Sequence, residues 1–153
     1  AEECDAVVIA GMGGENIAAI LAAAPWTADG RHTLVLQPQS RPEVLRRFLM
    51  DHGYAITREA LVEDRGHLYP VLEAGAGEMK LTPGQLRCGV KLLRDPLWDW
   101  YLIEKIIQLQ NVVAGRSRSA DPADRARAEE QRDLITELLA MREEWRHANG
   151  TRN

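Results

Sequence analysis

The apolar positions of this chain change period partway along, and the change divides it. Ala6 to Ile9 is a short β-branched run that drops into the glycines of Gly11–Gly14, and a helix-like segment, Glu15 to Ala24, follows at once. Strand, loop and helix are predicted in that order, closed by Pro25 and the Asp29-Gly30 turn. Thr33–Leu36 reads as a second strand, with Gln37-Pro38-Gln39-Ser40 as its C-terminal loop. Ser40 with Glu43 three residues on has the form of a capping box, and the helix it predicts runs from Arg41 to His52 and stops at Gly53. Both strands are apolar without alternation, the pattern of strands buried on both faces of a parallel sheet, and their connecting helices make right-handed crossovers.

Tyr54–Val62 and His67–Glu73 are strand-like runs joined by Glu63-Asp64-Arg65-Gly66. This is a hairpin, so the sheet ends in an antiparallel pair. A Gly-rich hinge, Ala74–Glu78, follows, and beyond it the period becomes helical. Thr82-Pro83 starts a short turn, and Asp95-Pro96 starts a helix to Ala114 with proline well placed at its head. Leu102, Ile106, Leu109 and Val113 recur at steps of 4, 3 and 4. After the polar stretch Gly115–Asp121, a second helix over Pro122–Arg146 carries Leu134, Leu138, Met141 and Trp145 at the same steps. Two such seams joined by a short loop predict an antiparallel hairpin of coiled-coil type. The expected organisation is α/β over residues 1–78 and a helical coiled-coil hairpin over 79–153.

Composition narrows the class. The 153 residues are 45% apolar and 27% charged, which is globular. No apolar run reaches the roughly 18 residues of a membrane span, and the acidic N-terminal stretch does not resemble a signal peptide. Cys4 and Cys88 fit no metal-ligand spacing, so no metal site is expected and a reduced cytoplasmic setting is. The net charge of −4 is uneven: residues 1–79 carry −6 and residues 80–153 carry +2. The C-terminal half is therefore the side that would face a polyanion, although the bias is small for a nucleic-acid binder.

The glycine loop is the main chemical candidate. A strand feeding a glycine turn and then a helix brings backbone close to a small molecule in α/β proteins. A dinucleotide reading is weaker, because Gly11-Met-Gly-Gly-Glu-Asn16 lacks the third glycine of that fingerprint and the second strand ends in Gln37 rather than an acid. A tight turn without a ligand is the rival interpretation. His32, His52, His67 and His147 stand near turns or a helix end and read as solvated. Cys88 reads as a core thiol, Asp5 with Glu2 and Glu3 as a solvated lead-in, and Trp98, Trp100 and Trp145 as packing residues rather than base-stacking platforms.

Three strings taken together, Asp5-Ala-Val-Val-Ile-Ala-Gly-Met-Gly-Gly14, Leu34-Val-Leu-Gln-Pro38 and Glu63-Asp-Arg-Gly-His-Leu-Tyr69, resemble the bacterial tRNA (adenine-22-N1)-methyltransferase family. The resemblance implies a class I, Rossmann-like methyltransferase sheet whose last strand inserts antiparallel, followed by a coiled-coil hairpin. It implies S-adenosylmethionine as cofactor and tRNA as partner. The family has Asn after Leu-Gln-Pro where this chain has Gln39, which keeps the amide and lengthens its reach. The resemblance also implies that this chain corresponds to the C-terminal part, starting at the fourth strand and lacking the main cofactor motif, and that it is inactive alone.

On that basis Gly11, Met12, Gly13, Gly14, Gln37, Pro38 and Gln39 are expected to line the base and cofactor. No residue is assigned as a catalytic acid or base, since N1 of adenine already carries a lone pair at neutral pH. Arg41, Arg46 and Arg47 on the helix after Gln-Pro-Gln, then Lys91, Arg94, Arg116 and Arg118, are the candidates for contacting RNA phosphate. Two rivals stand beside this: a non-catalytic RNA- or protein-binding module working through the helical hairpin, and homodimerisation through that hairpin or through the exposed edge of the first strand.

Overall fold

The computed structural model describes residues 4–150. The elements are β1 (Ala6–Gly13), α1 (Gly14–Ala22), a 3₁₀ turn (Pro25–Ala28), β2 (Thr33–Ser40), α2 (Pro42–Asp51), β3 (Tyr54–Asp64), β4 (His67–Ala76), α3 (Pro83–Cys88), α4 (Trp98–Arg116) and α5 (Pro122–Ala148). They fall into two compact units, the first ending at Asp95 and the second beginning at Pro96.

The first unit is built on a four-stranded sheet of order β1-β2-β4-β3. β1 and β2 are parallel, in register from Ala6↔Thr33 to Ile9↔Leu36. β4 is antiparallel to both neighbours, through Leu36↔Leu72 on one side and Val62↔Tyr69 on the other. One strand thus runs against three, as the hairpin predicted. The hairpin closes through Arg65 and Gly66 at φ 51° and 80°. Two positive φ values suit the right-handed twist of the paired strands.

The sheet runs further toward its C-terminal edge than the pattern suggested. β1 continues through the glycines to Gly13, and β2 through Gln37-Pro38-Gln39 to Ser40. Each extension supplies the other's partners, Met12↔Pro38 and Gly13↔Ser40, with register shifts on both sides of Met12. What reads as a glycine loop is a bulged strand end. Ser40 is consequently held in the strand and does not cap α2. Arg41 takes the N-cap position in the left-handed region, at φ 52° and ψ 49°, and no side chain caps there. Glu43 instead faces Arg41 at 3.9 Å and Arg87 at 3.7 Å. α2 ends as expected, with Gly53 at φ 77°.

Ile17 and Leu21 of α1 and Leu45 and Leu49 of α2 pack with Ile9, Leu34, Leu36, Ile56 and Leu72 into one core. Both helices leave strands that run the same way, so crossovers of one hand put them on the same face. The opposite face is open: Val8 is 68% exposed and Val62 49%. The expectation of burial on both faces therefore holds for one face only.

Residues 79–95 belong with the sheet, which moves the boundary from 78/79 to Asp95/Pro96. The cause is polar as well as apolar. Met79, Leu81 and Val90 pack against the core. The buried Arg46 guanidinium donates to the Leu86 carbonyl at 3.0 Å. α3 is short but fully capped, since Thr82 and Gln85 exchange side-chain-to-backbone hydrogen bonds. The Asp95 carboxylate accepts from the Leu61 N–H at 2.8 Å. The next helix begins three residues later, at Trp98.

In the second unit α4 and α5 pack side by side. Arg142, late in α5, donates to Asp99, early in α4, at 2.6 Å, and Arg132 donates to Ser117 at 2.9 Å. These pairs make the helices antiparallel. Leu102, Ile106, Leu109 and Leu138 are buried, and Val113, Leu134, Met141 and Trp145 are half-buried. Asp121 caps α5 through the Ala123 N–H at 2.8 Å. Among the described residues no helix is long and apolar enough to cross a membrane.

Candidate functional site

Gly11 and Gly13 at the end of β1 and Gly14 at the start of α1 do different work. Gly11 sits at φ 76°, in open space, and its N–H donates to Oε1 of Gln37 at 3.0 Å. Gly13 lies against Ser40, whose Oγ would be 3.0 Å from an added Cβ. At Gly14 a Cβ would drive into the Arg41 carbonyl and come within 3.2 Å of the Ser40 carbonyl oxygen. Close approach is therefore required at Gly14 and a left-handed backbone at Gly11. Ser40-Arg41 passes directly over the start of α1, and a second contact, the Arg41–Glu15 ion pair, ties the two segments.

This is the C-terminal edge of the parallel strands, where open α/β sheets bind ligands. Met12 is 42% exposed there and Gln39 is exposed, whereas Pro38 is buried. Gln37 is half-buried, with its amide oxygen committed to Gly11. Beside them lies a concavity of about 240 Å³ lined by Gln37, Gln39, Val62, Asp64, Tyr69 and Val71. Asp64 and Tyr69 were not singled out from the sequence. The signal was there in Glu63-Asp-Arg-Gly-His-Leu-Tyr69, but only strand alternation and the β2–β4–β3 order put their side chains next to Gln37 and Gln39.

The arginines of α2 separate. Arg47 is exposed and Arg41 is exposed but paired with Glu15 and Glu43. Arg46 is 0% exposed and is not available to RNA. Its Nε donates to Oε1 of the equally buried Glu59 at 2.9 Å, and its Nη2 stands 2.8 Å from the same oxygen as an ion-pair contact. Oε2 of Glu59 accepts from the Val90 and Lys91 N–H groups at 2.6 and 2.9 Å. The guanidinium and carboxylate thus clamp the 86–91 segment onto the sheet, which is why this basic residue turned inward. Lys91 and Arg94 are exposed on the first unit. In the second, Arg116 is half-buried in the last turn of α4 and Arg118 is exposed in the loop after it.

His32 is a second correction. It is 5% exposed, not solvated. Its Nδ1 lies 2.9 Å from Asp29 Oδ1, and its ring meets Trp26 edge-on at 4.9 Å. The Arg31 N–H, the His32 ring and the Arg31 guanidinium hold the Asp29 carboxyl well below the usual carboxylate range. This cluster precedes β2, at the end of the strand away from Gln37, so its role is structural. Cys88 is buried and Cys4 exposed. Trp98 is buried and Trp145 half-buried, consistent with packing, while Trp100 is largely exposed. Glu2 and Glu3 lie outside the described residues. Among the described residues no three His, Cys, Asp or Glu side chains converge in a metal-ligand group.

A mixed sheet with one inserted antiparallel strand, and a glycine-bearing strand end at its ligand edge, defines a Rossmann-like methyltransferase fold. Comparison with known proteins agrees. The family profile described as tRNA (adenine(22)-N(1))-methyltransferase, TrmK, matches residues 1–138, and the chain belongs to that family. The tRNA (adenine(22)-N(1))-methyltransferase of Bacillus subtilis is 42% identical over 76 residues, 50% of this chain and 32% of the relative. The crystal structure of the B. subtilis m1A22 tRNA methyltransferase superposes with TM-score 0.69 at 27% identity, over 95% of this chain and 63% of that one. A Streptococcus pneumoniae structure in complex with S-adenosyl-L-methionine gives 0.73 at 29% identity, over 90% and 61%. The chain therefore spans about a third of that curated relative and about three fifths of these solved ones.

Proposed function

We propose that this chain forms the acceptor-base side and part of the RNA grip of an enzyme that methylates N1 of adenine 22 in tRNA with S-adenosylmethionine. The observation that carries the reading is the Gly11–Gly14 strand end, locked against Gln37–Arg41 at the ligand edge of a methyltransferase sheet. The residues there fit one part of the cofactor's surroundings. They offer backbone groups that glycine leaves accessible, two amides and a thioether, but the ends of β1 and β2 carry no carboxylate to hold a ribose. When bound, S-adenosylmethionine supplies a methyl group whose transfer to the N1 lone pair leaves the C–S electron pair on sulfur and a positive charge on the purine.

No base is needed to free that lone pair, so this chain's contribution is orientation. The Gly11 bulge, fixed by Gln37, sets the height of the strand end. Met12 offers an apolar surface to a base, and Gln39 an amide to its edge. Adenine 22 must leave the folded tRNA to reach such a site, which costs a few kcal/mol of unstacking. Arg47, Lys91 and Arg94 on the first unit and Arg116 and Arg118 on the second supply cations for phosphates.

Two measurements test this. Mass spectrometry of tRNA incubated with S-adenosylmethionine is expected to find 1-methyladenine at position 22 when this chain is preceded by the N-terminal part of the B. subtilis relative, and none with the chain alone. Tight cofactor binding by the 153 residues alone would refute the division of labour. Charge reversal of Arg116 and Arg118 is expected to weaken tRNA binding with oligomeric state unchanged. A change in oligomeric state with RNA binding intact favours an assembly role for the helical hairpin.

A further inference from the structure

The concavity beside Gln37 contains two groups to which the glycine edge gives no task. Among the described residues the Asp64 carboxylate has no hydrogen-bond or ion-pair partner, and neither has the Tyr69 hydroxyl. Asp64 is exposed and Tyr69 half-buried. They come from opposite strands of the hairpin, Asp64 paired with His67 and Tyr69 with Val62. Period-two alternation sends Val62, Asp64, Tyr69 and Val71 to the open face of the sheet. The same face presents Gln37 and Gln39, and all six line one hollow. Gln37 is in turn bonded to Gly11, so the hollow adjoins the glycine strand end. Its walls are an aromatic ring and two valines, and its polar groups are one carboxylate and two amides. That is the make-up of a site for a flat heteroaromatic ring with a hydrogen-bonding edge.

We propose that this hollow seats the base to be methylated, with Tyr69 as its stacking surface and Asp64 as the residue that selects adenine. This rests on the reading of the chain as part of a tRNA adenine-N1-methyltransferase, and adds residues that the glycine and glutamine strings do not contain. The selectivity is electrostatic. Adenine presents an exocyclic amine next to N1, and a carboxylate accepts from it. Guanine presents a carbonyl oxygen there and an N–H at N1, so the same carboxylate meets a like partial charge at the exocyclic position. The carboxylate has a second effect. Methylation puts a positive charge on the ring that the exocyclic nitrogen shares, and an anion placed at that nitrogen interacts more strongly with product-like charge than with neutral adenine, which lowers the barrier. Tyr69 acts through its ring, so its hydroxyl is dispensable.

The test is binding of the full 153-residue chain, at fixed salt, to two tRNA transcripts that differ only in adenine or guanine at position 22. Wild type is expected to prefer adenine by about tenfold, equivalent to about 1.4 kcal/mol. Asp64→Asn should bring the two transcripts to within about threefold by weakening the adenine complex, because an amide can turn either its donor or its acceptor to the base. Tyr69→Ala should weaken the adenine transcript by about tenfold or more, within the range of base–aromatic stacking, and Tyr69→Phe should leave it unchanged. Thermal melts of all three variants identify any loss that is merely unfolding. If wild type binds tRNA and Asp64→Asn and Tyr69→Ala, both folded, behave like it, the hollow is not the base site, although the chain remains an RNA binder. If wild type binds neither transcript, this proposal and the RNA-gripping role fall together.

Discussion

Glu59→Gln is the perturbation whose consequence the structure determines most fully. Both partners of the Arg46–Glu59 pair are 0% exposed at their side chains. The carboxylate accepts from Arg46 Nε at 2.9 Å and from the Val90 and Lys91 N–H groups at 2.6 and 2.9 Å, with Arg46 Nη2 in ion-pair contact at 2.8 Å. Gln keeps one acceptor oxygen and turns an NH₂ toward donors, leaving a buried guanidinium without an anion. Removing one member of a buried pair costs about 3–5 kcal/mol. The segment released is 86–91, which contains the fully buried Cys88.

The assay is the rate at which a thiol reagent labels Cys88 in a Cys4→Ser background, alongside urea unfolding. A loss of about 3 kcal/mol from the local closing equilibrium raises the labelling rate by about a hundredfold, since about 1.4 kcal/mol is tenfold. The double variant Arg46→Met/Glu59→Leu removes both charges and orphans the Val90 and Lys91 N–H groups and the Leu86 carbonyl, at about 1–3 kcal/mol for each unsatisfied group left buried. Lys91 is exposed, so water relieves that side. The double variant should therefore be more stable than Glu59→Gln. A Glu59→Gln cost below about 1 kcal/mol, or a double variant as unstable as the two single variants added together, would sink the argument that the pair clamps this segment.

Three further outcomes follow from single contacts. Gly14→Ala forces the Arg41 carbonyl away and should cost about 1–3 kcal/mol as an overpacked site, with amide NMR shifts concentrated at residues 40–44; a silent spectrum would contradict the close approach. Arg65 adopts a left-handed φ of 51° in the hairpin turn, so Arg65→Asn should stabilise by about 0.5–1 kcal/mol and raise Tm by roughly 2–4 °C per kcal/mol; a lower Tm contradicts the turn geometry. Asp29 has its carboxyl pKa depressed by the Arg31 N–H, His32 and the Arg31 guanidinium. Its stabilising contribution is present above the ordinary carboxylate pKa and disappears as pH falls through the lower folded value. The stability gap between wild type and Asp29→Asn should therefore shrink as pH falls below about 4; a gap that widens between about pH 4 and pH 2 gives the wrong sign.

Most of the elements and their order were legible in the amino-acid sequence, because they rest on local signals. The switch from non-alternating apolar runs to a helical period separated sheet from hairpin helices. Gly53 and the Arg65-Gly66 turn punctuated the chain where a left-handed backbone is cheapest. The three family strings identified the methyltransferase lineage. What the sequence could not determine depends on partners far along the chain. Whether Gly11–Gly14 was loop or strand depended on Pro38 and Ser40 extending to meet it. Ser40 had the form of a cap, and lost that role because its backbone was already engaged in a sheet.

Arg46 and Arg47 are adjacent and chemically identical, yet one is exposed and the other is buried against a glutamate thirteen residues away. His32 was hidden in the same way, by an aspartate and a tryptophan folded over it. The site divides along the same line. Glycines and amides announce themselves by type and spacing, whereas Asp64 and Tyr69 become neighbours of Gln37 only when β4 inserts between β2 and β3. Local propensity is written in neighbouring residues. Burial, ion pairing and the lining of a hollow are set by the strand order and register of the whole sheet, which only the tertiary structure fixes.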